Sequence, residues 1–418
     1  MGKDSIADDP HAYGSGQTIL SRHPASVLAA LVALGSMFAI LRDSLANGSF
    51  GSDFGVFHLG GSRIRSQGYS AAYDNDSFSN ELAAEYFPYL AESDNVAHFV
   101  STPTFGWLAQ TLSWLPFGPS LTLWIAASVV ALAASIRLLG LPWVSLLIVA
   151  ISPAMWTNLQ LGQTGTFVLL LFVVLHRNTI ADQPMRAGAV AGSLILKPTL
   201  AFGYGLLWLV EARKYWRAIA TAMFVGVVLS VPTFVGGIGP WQSFIEAMRE
   251  RAALEGQWAQ QSLSIPEFLK LLSPFAASTG TTITWLLGLL VSAAFVAVGV
   301  RHYREDLEAL SVIAVVATVL ASPHLLIYDT FILLIPAAVA HRRGLLTGDR
   351  AGVLAAIHVV SIAFGPAIYL LQADRLGRGI SLEMPALLAC TWLIHHWNRR
   401  SELESEPAVV SETVLAGS

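Results

Sequence analysis

Cysteine occurs once in 418 residues, at Cys390 inside an apolar run, so a disulfide framework and a cysteine-ligated metal site are both excluded. Charge is scarce as well. Asp, Glu, Lys and Arg make up 12% of the chain, against about 25% in an ordinary globular protein, too little to coat several soluble domains. Positive charge is not in excess: 24 Lys and Arg against 28 Asp and Glu give a net charge of −4. With no basic stripe, nucleic acid is excluded as a partner. No sequence repeat links the two halves, which argues against a transporter built from inverted repeats.

What the chain has in quantity is apolar side chain, 54% of residues with a mean hydropathy of +0.58. Such a surface must face lipid, and membrane lipids are the expected surroundings. The first apolar run spans 25–41; its length and the 24 residues before it favour a retained span over a signal peptide. Others follow at 103–117, 119–137, 141–156, 163–176, 187–210, 216–236, 281–300, 307–321, 324–340, 351–371 and 380–397, with tryptophans such as Trp114, Trp143, Trp216 and Trp397 near their ends. The short runs 141–156 and 163–176 read either as half-helices that re-enter the membrane or as two spans, so the count is 10 or 12. The expected fold class is all-α: a polytopic transmembrane bundle over 25–397, between a disordered cytoplasmic N-terminus (1–24) and a disordered cytoplasmic tail (398–418).

Either count is even, so both termini share a side. Arg213, Lys214 and Arg217, then Arg301 and Arg304, then Arg342, Arg343 and Arg350, then Arg399 and Arg400 fall in short connections on that side, which makes it the cytoplasm. The opposite side receives loops 42–100 and 237–280, the first with eight acidic residues against three arginines.

Within loop 42–100, Phe54, Phe57, Gly61 and Ile64 recur at helical spacing, as do Phe78, Leu82, Tyr86 and Tyr89. Two amphipathic helices lying at the membrane surface and roofing a cavity explain both patterns. Asp53 stands where the first span gives way to the first of them. It reads as a helix N-cap, or as a catalytic base. A carboxylate at the membrane surface suits transfer of a sugar from a lipid phosphate. The phosphate leaves as a stable anion, so one base that deprotonates the acceptor hydroxyl suffices. Arg63 and Arg65 would then steady the phosphate charge. Asp74-Asn75-Asp76 has the look of a metal-holding acidic pair but sits in a turn-like stretch and reads as a solvated turn. No metal and no cofactor are expected.

Three further polar positions stand out. Lys197 lies near the middle of the run 187–210, where a lysine is costly and usually functional, although Pro198 beside it frees a carbonyl that could partner the ammonium structurally. His324 and Tyr328 share a helix face, with Asp329 next door. Gln163 follows Gly162 in a break between apolar runs, where it can bond sugar hydroxyls or exposed backbone. Gly188 and Gly192 form a Gly-x-x-x-Gly pair that serves helix packing.

These pieces, in order, resemble glycosyltransferase family 87, the polyprenyl-phosphate-mannose-dependent alpha-mannosyltransferases of the GT-C membrane superfamily. The resemblance runs from about residue 50 to 340. It rests on Asp53-Phe54, Gly68, Tyr73-Asp74, Pro103, Leu161-Gly162-Gln163, Ala187-Gly188, Lys197-Pro198, Gln261-Ser262-Leu263, Ser322-Pro323-His324 and Tyr328-Asp329. It implies that Asp53 is the base and that His324 binds donor phosphate or sugar. Lys197, Gln163 and Tyr328, with Arg63 and Arg65, complete the candidate donor site. The chain departs from the family pattern at Ser101-Thr102-Pro103 and at Gln260, which bears on the acceptor more than on the reaction.

The expected function is therefore transfer of a hexose, mannose first, from a polyprenyl-phosphate donor to a lipid or glycan acceptor. The anomeric centre inverts, at the outer face of a bacterial cytoplasmic (inner) membrane. Competing expectations are another polyprenyl-phosphate sugar such as arabinose, a lipid-linked-sugar flippase, which predicts paired ionisable residues on broken helices, and a non-catalytic scaffold.

Overall fold

The computed structural model describes residues 48–88, 98–150, 152–235, 237–254, 277–322 and 325–345, with five positions between 31 and 42. The expected terminal segments and the runs 351–371 and 380–397 lie outside these residues, as do Gln261, Ser262, Leu263, Pro323 and His324. Among the described residues there are helices and no strand.

The chain first forms α1 (Ser52–Gln67), the single turn α2 (Tyr69–Ala72) and α3 (Asn75–Glu85). Gly68, at φ +91°, ends α1 and returns its N–H to the carbonyls of Arg63 and Ile64. Asp74 caps α3 by accepting from the Ser77 N–H, so the acidic triplet is a helix start. α1 was expected to float on the membrane surface with one face wet. Instead it is buried nearly all round, because Phe54, Phe57 and Ile64 pack with Phe78, Leu82, Phe87 and Phe99 in one aromatic core. Gly61 lets α4 (Pro103–Leu112) approach so closely that a Cβ there would stand 2.1 Å from the Ala109 carbonyl oxygen. His58, also buried, bonds Tyr86 Oη at 3.0 Å and the Leu115 carbonyl at 2.9 Å. A carbonyl only accepts, so Nε2 carries the proton and Nδ1 accepts from the tyrosine.

The bundle follows: α5 (Phe117–Leu138), α6 (Val144–Ala150), α7 (Pro153–Leu161), α8 (Gly165–Ile180), α9 (Pro184–Gly192), α10 (Phe202–Val210), α11 (Ala212–Ser230), α12 (Gly239–Leu254), α13 (Ala277–Tyr303), α14 (Leu307–Ala321) and α15 (Leu334–Arg342). Among the described residues, Phe117–Leu138, Ala212–Phe234 and Ile283–Tyr303 are long and apolar enough to cross a membrane. The α6–α7 pair, bent by 65°, makes a fourth if counted as one broken span, with the shorter apolar helices beside them. Gly188 and Gly192 do serve packing: a Cβ at either would meet the carbonyl of Ala218 or Ala222 on α11 within 2.6 Å. A buried polar knot ties α8, α14 and α10, where Ser311 Oγ meets His176 Nδ1 at 2.8 Å and Tyr204 Oη at 2.5 Å.

The basic connections gather at one end of this bundle, as the charge pattern requires. Arg304 reaches Glu211 at 3.3 Å, Arg343 clasps Asp306 and Glu308, and Arg342 joins Glu308 to the Leu139 carbonyl. Arg177 bonds the Leu138 carbonyl at 3.2 Å. α8 therefore runs from Gly165 to the basic end at Arg177, twelve residues or about 18 Å.

α12 was not foreseen. It leaves the bundle and docks on the first lobe, Asn75 Nδ2 donating to Glu250 at 2.6 Å and Phe244 packing on Tyr73, so both large loops build one structure.

Candidate active site

Asp53 is the second residue of α1, and the cap position is Gly51 in the left-handed region at φ +81° with no side-chain bond. The N-cap reading therefore fails. The carboxylate sits in the first turn, where the unpaired N–H groups of the helix favour negative charge. The Gly51 N–H donates to the Gln160 carbonyl at 2.5 Å, pinning this helix start to the end of α7.

α7 stops at Gly162, whose φ of +71° suits glycine and whose missing side chain matters equally. A Cβ there would lie 2.5 Å from Phe54 Cβ. The next residue, Gln163, is buried and donates from Nε2 to Asp53 Oδ2 at 2.5 Å. Its amide is oriented by chemistry, since Oε1 accepts the Thr164 N–H at 3.3 Å and the carboxylate requires a donor. The turn is held at three more points. Asn158 accepts the Gln163 N–H on its carbonyl and the Gly165 N–H on Oδ1, both at 2.8 Å. Trp124 Nε1 donates to the Gly162 carbonyl at 2.9 Å.

Lys197 occupies a break in the run expected at 187–210. α9 passes into two short 3-10 turns, Ser193–Leu196 and Pro198–Ala201, because proline lacks an N–H and keeps the preceding residue out of the helical region. A carbonyl exposed by the break, that of Ile195, takes the Thr102 hydroxyl at 3.2 Å, so it is not the partner of the ammonium. Lys197 Nζ instead meets Asp329 Oδ1 at 2.5 Å and stands 5.2 Å from the centre of the Tyr328 ring. Asp329 is fully buried and also accepts the Leu326 N–H, while the lysine side chain keeps 29% of its exposure.

The two pairs abut. A Cβ on Gly165 would stand 2.2 Å from the Tyr328 carbonyl oxygen and 2.8 Å from Asn158 Oδ1, so the 3-10 segment Ile327–Leu333 rests on the turn that carries Gln163. Asp53, Gln163, Lys197 and Tyr328 are thus gathered at the end of α8 opposite the basic connections.

Two expected residues are not part of this cluster. Arg63 and Arg65 lie ten and twelve residues beyond Asp53 on the same helix, about 15 and 18 Å along its axis. Arg63 is buried 3% exposed, forms an ion pair with Glu81, and gives its remaining donors to the Ala71 carbonyl and to Ser77. It clasps α1 to α3, and each of its three nitrogens already has a partner there. Arg65 points outward at the far end of α1. The reading that set these arginines beside the carboxylate is corrected by helix rise alone. Residues missed were Asn158 and Trp124; the left-handed glycine at 162 was the available signal that its neighbours define a turn.

An all-helical bundle with spanning helices gathers a carboxylate, an amide and an ammonium near one end. The sequence model of glycosyltransferase family 87 matches residues 99–323, and the chain belongs to that family. It is a membrane glycosyltransferase, consistent with the GT-C superfamily, with a donor and an acceptor as its substrates. The matched stretch contains Trp124, Asn158, Gln163 and Lys197, whereas Asp53 and Tyr328 lie outside it. No curated protein and no solved structure matches the chain.

Proposed function

We propose that this glycosyltransferase moves a hexose, mannose first among the candidates, from polyprenyl phosphate to a lipid or glycan acceptor at the external face of a bacterial cytoplasmic membrane. Asp53 is the general base. The acceptor hydroxyl loses its proton to Asp53 as its oxygen attacks the anomeric carbon from the face opposite the phosphate. The bond from that carbon to the phosphate oxygen breaks, and polyprenyl phosphate departs with the electron pair. One displacement inverts the anomeric centre, and no acid is needed because the leaving phosphate is already a stable anion.

The observation that carries this reading is the hydrogen bond from Gln163 to Asp53 at the start of α1, which fixes a carboxylate in place within a chain of this family. Lys197 serves the donor phosphate: Asp329 and the Tyr328 ring hold its ammonium in position, and its partial exposure leaves it within reach of a ligand. His324, which lies outside the described residues, remains a proposed donor-binding residue on the resemblance alone. The external assignment draws support from the basic connections at the opposite end of α8, since positive connections mark the cytoplasm.

The Lys197–Asp329 pair on interrupted elements is also the feature a flippase predicts. Family membership favours the transferase. The test is sugar transfer by the purified chain in lipid, with radiolabelled polyprenyl-phosphate mannose and a membrane extract as acceptor. Wild type transfers label, and Asp53→Asn reduces the rate by about 10²-fold or more, the scale of a lost general base. Equal rates would remove Asp53 from the chemistry. Label that crosses the bilayer still attached to polyprenyl phosphate would favour the flippase.

A further inference from the structure

The Asp53–Gln163 bond depends on a turn whose two anchors lie outside it. Asn158 holds the turn from within α7, through its carbonyl and Oδ1. Trp124 holds it from α5, across 38 residues of chain, by one indole N–H to the Gly162 carbonyl. The closure of the turn does not need Trp124, because the left-handed Gly162 and the bonds to Asn158 already complete it. What the indole fixes is the plane of the peptide joining Gly162 to Gln163. That plane sets the direction in which the Gln163 side chain leaves the backbone, and so where its amide meets Asp53.

The surroundings make the indole a rigid strut. Its ring lies tilted against its neighbours, 4.7 Å from Phe167, 5.7 Å from Phe54 and 6.3 Å from Phe57 between centroids, so α1 and α8 both brace it. Phe54 is the residue immediately after Asp53, and Phe167 follows Gln163 by four positions. The ring therefore packs against α1, which carries Asp53, and against α8, which follows the turn with Gln163, while its N–H addresses the Gly162–Gln163 peptide.

We propose that Trp124 is a positioning residue for sugar transfer: by bonding the Gly162 carbonyl it orients Gln163 against Asp53 and so holds the base in line with the acceptor hydroxyl. This rests on the transferase reading above. Misplacing a reacting group by about 1 Å can cost on the order of 10²-fold in rate, and that loss falls on turnover and not on donor affinity.

Trp124→Phe keeps an aromatic ring against Phe54 and Phe167 and removes the N–H together with the five-membered part of the indole. In the full chain in lipid nanodiscs, with polyprenyl-phosphate mannose as donor, the expected result is a kcat lowered by about 10-fold or more with donor KM unchanged. Gln163→Leu behaves alike, and the double variant is no slower than Gln163→Leu alone, because both changes act through one bond. A wild-type kcat in Trp124→Phe, or losses that multiply in the double variant, overturns the proposal.

A second measurement needs no turnover. In the chain carrying Cys390→Ser, Asp53→Cys and Gln163→Cys, a short bifunctional thiol reagent joins positions 53 and 163. Adding Trp124→Phe lowers the yield severalfold if the indole orients the turn; an equal yield overturns the proposal. If wild type moves no sugar from polyprenyl phosphate, the donor reading fails, and the crosslinking result still decides the role of Trp124.

Discussion

Two cation–carboxylate pairs, one in each part of the molecule, have similar chemistry and opposite uses. Arg63 and Glu81 join two helices of the first lobe, and every nitrogen of the guanidinium is engaged by the carboxylate, by two carbonyls or by a hydroxyl. Lys197 and Asp329 join two interrupted elements of the bundle, and the carboxylate is fully buried while the lysine is partly open. The first pair is closed and structural. The second is a buried anion holding a reachable cation. Burial of the cation, rather than presence of charge, separates the arginine that joins two helices from the lysine that stays partly open.

The largest effect is expected at the junction between the lysine pair and the turn. Gly165→Val puts a side chain where the Tyr328 carbonyl and Asn158 Oδ1 now stand. It drives the 3-10 segment off the turn, abolishing transfer in the radiolabel assay and lowering the thermal midpoint together.

Next come single breaks of the two pairs. Lys197→Met leaves Asp329 buried without its cation, and Arg63→Met leaves Glu81 without its cation and removes the bonds to the Ala71 carbonyl and to Ser77. Breaking a buried pair costs about 3–5 kcal/mol; Arg63→Met should fall at the lower end, because Glu81 retains 31% exposure. Denaturation in detergent should register both losses. The discriminating step is repair. Lys197→Met with Asp329→Leu restores the thermal midpoint but not transfer, whereas Arg63→Met retains kcat per folded molecule. Transfer by the repaired double variant would sink the distinction.

The smallest effect lies at alkaline pH, in the lobe. Burial raises the Tyr86 hydroxyl, with Glu85 and Glu81 adding to it, and pushes Tyr69 up from 10.0 to about 12. Groups raised on folding contribute stability that is fully present below the unfolded value of 10.0 and is lost as pH rises towards 12. Hydrogen exchange in α1–α3 should therefore quicken as pH is raised above 10. Unchanged protection there would remove this expectation.

Much of this was legible in the chain itself. Apolar runs located the helices, Pro198 announced a break, and the Gly188 and Gly192 pair announced close helix contact. Asp53, Gln163, Lys197 and Tyr328 were each chosen for local reasons: a carboxylate after a span, an amide in a break, a lysine in lipid, an aromatic one turn from a histidine. Their meeting was not legible, because Asp53 and Gln163 are 110 positions apart and Lys197 and Asp329 are 132 apart. The burial of α1 on nearly all sides was not legible, because periodicity shows which residues are apolar and not how many partners will cover them. Arg63 misled because a cation beside a carboxylate in sequence need not share its end of a helix.

The long separations have a consequence for biogenesis. At about 5–20 residues per second of synthesis, Gln163 emerges on the order of ten seconds after Asp53, and Asp329 later still. During that interval α1 exists without the turn that orients its carboxylate, and the lobe also lacks α12, whose Glu250 bonds Asn75 across 175 residues. Assembly order thus makes competence a property of the nearly finished chain: a polypeptide stalled before Asp329 carries the carboxylate, the amide and the lysine, yet lacks the anion that seats the lysine.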